Sequence, residues 1–158
     1  MSSRAFMAYD IENQIADTDG KVAGKVYDKE IEISSAEILA LFTTEKELVA
    51  APGAGKVLDL VSCLLAYDAG GTAYTIGTAG NLQVKYTNKT GAAASTTDAA
   101  AGLLDSASDL LHILDKIEAS TVAVVNSALV LTLATANPTL GTGVIHAKVT
   151  YRIYETGL

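Results

Sequence analysis

The clearest pattern along the chain lies near its end. In "VIHAKVTYRIY", Ile145, Ala147, Val149, Tyr151 and Ile153 fall on one face of an extended chain, and His146, Lys148, Thr150 and Arg152 on the other. That period-two alternation predicts a half-buried strand. Upstream, Leu129, Leu131 and Leu133 alternate within "SALVLTLAT", and the intervening "ANPTLGTG" holds Asn-Pro and two glycines. Together these predict a hairpin of antiparallel partners. "KEIEIS" sets Ile31 and Ile33 against Glu30 and Glu32, again with strand period. Ser34 and Glu37 then have the spacing of a capping box, in which each side chain satisfies a backbone donor at a helix start, so "AEILALF" predicts one or two helical turns.

Other stretches carry weaker patterns. Residues 57–67, "VLDLVSCLLAY", are apolar at nearly every position; this fits a strand covered on both faces or a buried helix, and the flanking turns favour the strand. "TAYTI" and "LQVKY" read as further short strands between the turn-forming "DAGG" and "GTAGN". Residues 87–102, "TNKTGAAASTTDAAAG", form a small-residue tract expected to be a long surface loop. Leu103, Ala107, Leu110, Leu111 and Leu114 have helical spacing, whereas "DLLHILD" alone also suits a strand, which leaves the state of residues 103–118 open. Residues 1–20 mix isolated apolar side chains (Phe6, Met7, Tyr9, Ile11, Ile15) with polar ones and end in "ADTDG", which predicts an extended N-terminal arm preceding one β domain over residues 21–158. Short strands at close spacing, and no repeat of 20–50 residues, point to an all-β domain and away from solenoids and propellers.

With 158 residues, the chain is long enough for one domain with a sizeable core. The formal charge of −7 argues against a nucleic-acid partner, which draws on clustered Lys and Arg. No run of about 18 apolar residues occurs, and "MSSRAFMAYDIENQ" has no apolar core behind a basic start, so the expectation is a soluble chain made in the cytoplasm, with no membrane partner. Cys63 is the single cysteine and lies in an apolar run, which suits a buried small hydrophobe better than a catalytic thiol.

The chain is poor in catalytic motifs. "ELVAAPGAGKVLDL" contains a Gly-Lys pair, but a phosphate-binding loop needs glycine five residues earlier and Ser or Thr just after, where this chain has Ala50 and Val57. Pro52 also removes a backbone donor; Pro52-Gly53 instead suits a type II turn, so the segment reads as strand, turn, strand. "DTDG", with Asp17, Asp19 and Gly20, lacks the further oxygen ligands of a calcium loop and reads as a turn. Asn88-Lys89-Thr90 matches a glycosylation acceptor without a secretion signal to give it meaning. Only His112 and His146 are available for zinc or imidazole chemistry, and His146 falls on the polar side of its strand. No serine lies in a G-x-S-x-G turn. Paired carboxylates are recognised by separation in space, which leaves Glu30 and Asp59 as acids to examine. The reading is therefore of a non-enzyme with no catalytic, metal or cofactor residues. Tyr151 is expected in the core, and Tyr9 and Tyr154 are candidate interface anchors.

"LVAAPGAGKV" followed by a strand, "NLQVKYT", and "NSALVLTLATANPTLGTGVIHAKVTYRIYE" together resemble small virion-associated proteins of tailed bacteriophages, over roughly residues 47–155. The likeness is to capsid decoration, or cement, proteins of the jelly-roll type; residues 1–20 and 103–118 fall outside it. What the resemblance implies is an antiparallel, jelly-roll-like β-sandwich that assembles as a homotrimer on the outside of the head lattice, with the major capsid protein as partner and the virion surface as its location. Phe6, Met7, Tyr9, Ile11 and Ile15 are then the expected capsid or subunit contacts. The alternative is a tail- or fibre-associated module that binds tail proteins or host glycans, for which the 87–102 loop would be the presenting element.

Overall fold

A computed structural model describes residues 25–118 and 123–157. Eight strands and one short helix are present among them: β1 (Val26–Ile33), α1 (Ser35–Ile38), β2 (Lys46–Val49), β3 (Lys56–Asp68), β4 (Asn81–Tyr86), β5 (Ala93–Ala99), β6 (Leu110–Asp115), β7 (Leu129–Leu133) and β8 (Val144–Glu155). They form two four-stranded antiparallel sheets, ordered β1-β8-β3-β6 and β2-β7-β4-β5. The pairs β1·β8, β2·β7, β3·β6 and β4·β5 nest like one long antiparallel ribbon folded over on itself, with β3·β8 and β4·β7 joining them into sheets. This is jelly-roll order, a double-sheet solution in which two inner faces share one core. The predicted all-β, antiparallel sandwich is what the chain forms. The residues proposed as an arm, 1–20, lie outside those described.

Local sequence explains most elements. In β1, Ile33 is buried while Glu30 and Glu32 are exposed, as the alternation requires. At α1 the capping box is complete: the Ser34 backbone N–H donates to Glu37 Oε2 at 2.8 Å, and the Glu37 N–H donates to Ser34 Oγ at 3.4 Å. The Lys46 ammonium reaches Glu37 Oε1 at 2.5 Å. Hydrogen bonding to Lys46, and then to the Ser34 backbone, holds the Glu37 carboxyl below the usual range. Gly53 takes the left-handed backbone (φ +104°) that the Pro-Gly turn needs, and its N–H donates to Asn126 Oδ1 at 3.0 Å.

β3 shows why its apolar run lacks a period. Leu60 pairs with Tyr151 and Ser62 with Thr150, so Val61 is an extra residue that shifts the register. Before this bulge the buried positions are Leu58 and Leu60; after it they are Cys63, Leu65 and Tyr67. The bulge switches which parity faces the core and turns Leu64 and Ala66 to the outer side.

Three expectations are corrected, and the reading left open for residues 103–118 is decided for the strand at 110–115. The strand at β7 and the strand at β8 do not form a hairpin: β7 pairs with β2 and β4, β8 with β1 and β3, in opposite sheets. Alternation marks each as a strand but carries no information about its partner. "TAYTI" is not a strand and makes only an isolated bridge, Thr75 with Thr139. Residues 87–102 are not one long loop, because Ala93–Ala99 form β5 against β4; its small residues leave no hydrophobic pattern, and backbone pairing holds it. Leu103, Ala107, Leu110, Leu111 and Leu114 do not form a helix: Leu103 and Leu104 are buried in a turn, and 110–115 is strand β6.

Leu48, Leu82, Val84, Leu131 and Leu133 from one sheet meet Ile33, Leu58, Leu65, Ile145 and Val149 from the other in a single core. Three tyrosines stitch its margins. The hydroxyl of Tyr67 donates to the Leu104 carbonyl (2.9 Å), that of Tyr74 to Gly143 (2.6 Å) and that of Tyr86 to Leu58 (2.9 Å). Burial raises all three phenol pKa values, Tyr74 to about 12. Tyr151 is buried as expected, its ring 5.8 Å from that of Tyr27.

Candidate interaction face

With the inner faces spent on the core, the outer faces of the two sheets present the remaining strand side chains. The β2-β7-β4-β5 sheet is partly roofed by the segment around α1: β7 is buried at all five positions, and Thr132 Oγ1 donates to the Leu41 carbonyl at 3.3 Å. The outer side of β1-β8-β3-β6 carries three cross-strand rows fixed by register. They read Glu32–His146–Ala66–Leu111, Glu30–Lys148–Leu64–Ile113 and Asp28–Thr150–Ser62–Asp115. Neighbouring strands lie about 4.8 Å apart, so each row spans roughly 14 Å. The face grades from charged on β1 to apolar on β3 and β6.

On the charged side, Lys148 Nζ is 3.6 Å from Glu30 Oε2 and His146 Nδ1 is 3.9 Å from Glu30 Oε1. Thr150 donates its hydroxyl to Asp28 at 2.8 Å. On the apolar side, Leu111 is 70% exposed and Ile113 59%, the former being the most exposed large hydrophobic among the described residues. Two shallow depressions mark the face. One of ≈ 520 Å³ is lined by Asp28, Lys29, Glu30, Leu64 and Lys148, and one of ≈ 440 Å³ by Ala66, Asp109, Leu110, Leu111 and His146.

The margin beside this face is tied to the other sheet. His112 Nδ1 and Asp98 Oδ2 share a hydrogen bond at 2.7 Å between β6 and β5. Nearby, Ser95 bridges Lys116, and the Asp115 N–H donates to Thr96 Oγ1 at 3.1 Å. Lys116 also pairs with Asp59. These ties leave Leu111 and Ile113, on the outer side of β6, exposed.

The structure keeps the candidate chemical groups apart. Glu30 belongs to the Lys148 row, whereas Asp59 is opposite Arg152, about 13 Å further along the strands. His112 and His146 each sit beside their own carboxylate. No group of three or more His, Cys, Asp or Glu among the described residues is placed to hold a metal. Cys63 is buried, and loss of solvation pushes its thiol up to about 12, so it is a protonated core side chain at neutral pH. Asn88 is engaged in its own turn, with Oδ1 accepting from the Thr90 N–H at 2.9 Å and hydroxyl at 2.8 Å. Tyr154 is 39% exposed at the end of β8, where its hydroxyl accepts from Arg152 at 3.4 Å. No helix among the described residues is long and apolar enough to cross a membrane. Phe6, Met7, Tyr9, Ile11 and Ile15 lie outside the described residues.

Sequence reasoning missed Leu64, Leu111 and Ile113 as surface residues. A signal was present in "DLLHILD": apolar residues at both parities, Leu110 and Leu114 against Leu111 and Ile113, give a strand an apolar outer face as well as an inner one.

No family model matches the chain, and no curated protein matches it. Among solved structures, the chain is similar to one described as "Cyanophage Pam1 capsid asymmetric unit". Identity is 12%, the match covers 81% of this chain and 83% of that chain, and the TM-score is 0.46. These values assign no family.

Proposed function

We propose that the protein is a structural component of a phage virion that binds the outside of the head lattice as a homotrimer and stabilises the shell, without catalysing a reaction. The observation that supports the reading is the outer face of β1-β8-β3-β6, which grades from charged to apolar and exposes Leu111 and Ile113, as an adhesive surface would. The resemblance of residues 47–155 to jelly-roll decoration proteins agrees with the strand order, and among the described residues the acids and histidines are dispersed.

Physically, such a protein works through free energy of association. Three linked copies convert modest contacts into avid binding, because the second and third engagements occur at high effective concentration. Residues 1–20, with Phe6, Met7, Tyr9, Ile11 and Ile15, serve in this reading as an arm contacting capsid or neighbouring subunits; ordering it costs about 1–2 kcal/mol per backbone residue, which those apolar contacts offset. The tail-module alternative drew on a presenting loop at 87–102, and β5 occupies that stretch. Gold-labelled antibody on intact virions tests the location: label over the heads is expected, and label confined to tails or fibres removes the proposal.

A further inference from the structure

Within that reading, the outer face also indicates what kind of surface it meets. Leu64 and Ile113 are directly paired across β3 and β6, and Ala66 and Leu111 form the next outward pair, so the four make one continuous strip. Isolated exposed apolar residues are ordinary, but Leu111 and Ile113, exposed in adjacent rows and continued by the part-exposed Leu64 and Ala66, form a contiguous patch. β6 also lacks the lysines or prolines that keep exposed strands from sticking, reading Leu-Leu-His-Ile-Leu-Asp.

Charge around the strip selects the occupant. Asp68 and Asp109 line the depression at one end and Asp115 stands in the row at the other; on the β8 side His146 and Lys148 adjoin the strip, with Glu32 and Glu30 beyond them on β1. The nearby cations are largely answered: Lys148 faces Glu30 at 3.6 Å, and Lys116 pairs with Asp59. The strip is thus apolar with carboxylates at both ends, on a chain of formal charge −7. A second copy applied through the same face would set those carboxylates against each other, because a two-fold contact presents identical patches. A surface with apolar side chains flanked by Lys or Arg is complementary on both counts.

We propose that the strip Leu64, Ala66, Leu111 and Ile113 docks a partner protein surface of apolar residues bordered by Lys and Arg, which in the proposed function belongs to the head-lattice protein. Copies of this chain associate elsewhere.

The test places the photocrosslinker p-benzoylphenylalanine at position 111 of the full chain, with heads of the encoding phage as the probe. A second protein carries Leu111→Ser with Ile113→Thr, changes at exposed positions that leave the fold intact. The expected result is a cross-link from position 111 to a head protein, in a segment containing Lys or Arg. Head affinity of the double variant should fall at least ~10-fold while its solution mass stays that of the wild type. Cross-links between copies of this chain, a lower mass for the double variant, or unaltered head affinity would each overturn the inference. Normal co-sedimentation without any cross-link from position 111 sinks the docking strip alone, whereas absence of co-sedimentation by the wild type sinks the proposed function with it.

Discussion

Tyr86, at the end of β4, donates its hydroxyl to the carbonyl of Leu58 on β3, 2.9 Å away and in the opposite sheet. It is a polar tie across the sandwich at the edge of an apolar core, and its buried acceptor is costly to strand. Tyr86→Phe should lower unfolding free energy by about 1–3 kcal/mol, since deletion leaves a desolvated carbonyl short of a partner. Tyr154→Phe, at a half-exposed position, should stay within about 0.5 kcal/mol. Urea titration with an unchanged slope checks both.

Gly141 has φ +89°, and a Cβ there would stand 2.3 Å from Cδ1 of the buried Tyr74 ring, whose hydroxyl is anchored to Gly143. Gly53 has φ +104° with nothing within 4 Å of such a Cβ. Gly53→Ala therefore tests backbone strain alone and should cost about 1–3 kcal/mol. Gly141→Ala adds overlap with a ring that cannot retreat, and should cost more than Gly53→Ala in the same thermal melt.

Ser34→Ala removes one half of the capping box and should cost about 1 kcal/mol. Glu37 supplies a pH signature. Its folded carboxyl sits below its ordinary value of 4.5, so its charge contributes stability that is present above pH 4.5 and lost as pH falls through the lower folded value. The stability gap between wild type and Glu37→Gln should be full at pH 7 and shrink below pH 4.5. A gap that persists undiminished at pH 2 would contradict the Lys46 and Ser34 contacts as its source.

Cys63 gives the alkaline counterpart. Its thiol ordinarily ionises near 9.0 and is raised by burial to about 12, so the stability tied to its protonated form is complete below pH 9 and declines as pH rises from 9 toward 12. The alkaline limb of wild type should be steeper than that of Cys63→Ala. At pH 8 a thiol reagent should label native protein only at the rate of unfolding; rapid native labelling would mean that the thiol is accessible.

How far the sequence spoke for the fold differs by element. β8 and β1 were legible because half-burial writes alternation directly into their residues, and α1 because a capping box needs two side chains at fixed spacing. The course of β7 and β8 into opposite sheets was not legible, since pairing is decided by long-range closure of the ribbon. β3 concealed its period behind the Val61 bulge, and β5 behind alanines and threonines that carry no hydrophobic alternation. For the candidate face, Glu30, His146 and Lys148 were readable as a polar side. Its apolar half was not, because the outward turn of Leu64 depends on the bulge, and Leu111 and Ile113 belonged to a segment whose state was open.

The most direct measurement of the proposed function is co-sedimentation of the purified chain with expanded phage heads, paired with light-scattering mass of the free protein. Saturable binding at a fixed number of copies per head, by a species of three times the chain mass, is the predicted result. A free monomer that stays in the supernatant at every head concentration would contradict adhesion to the shell as this protein's work.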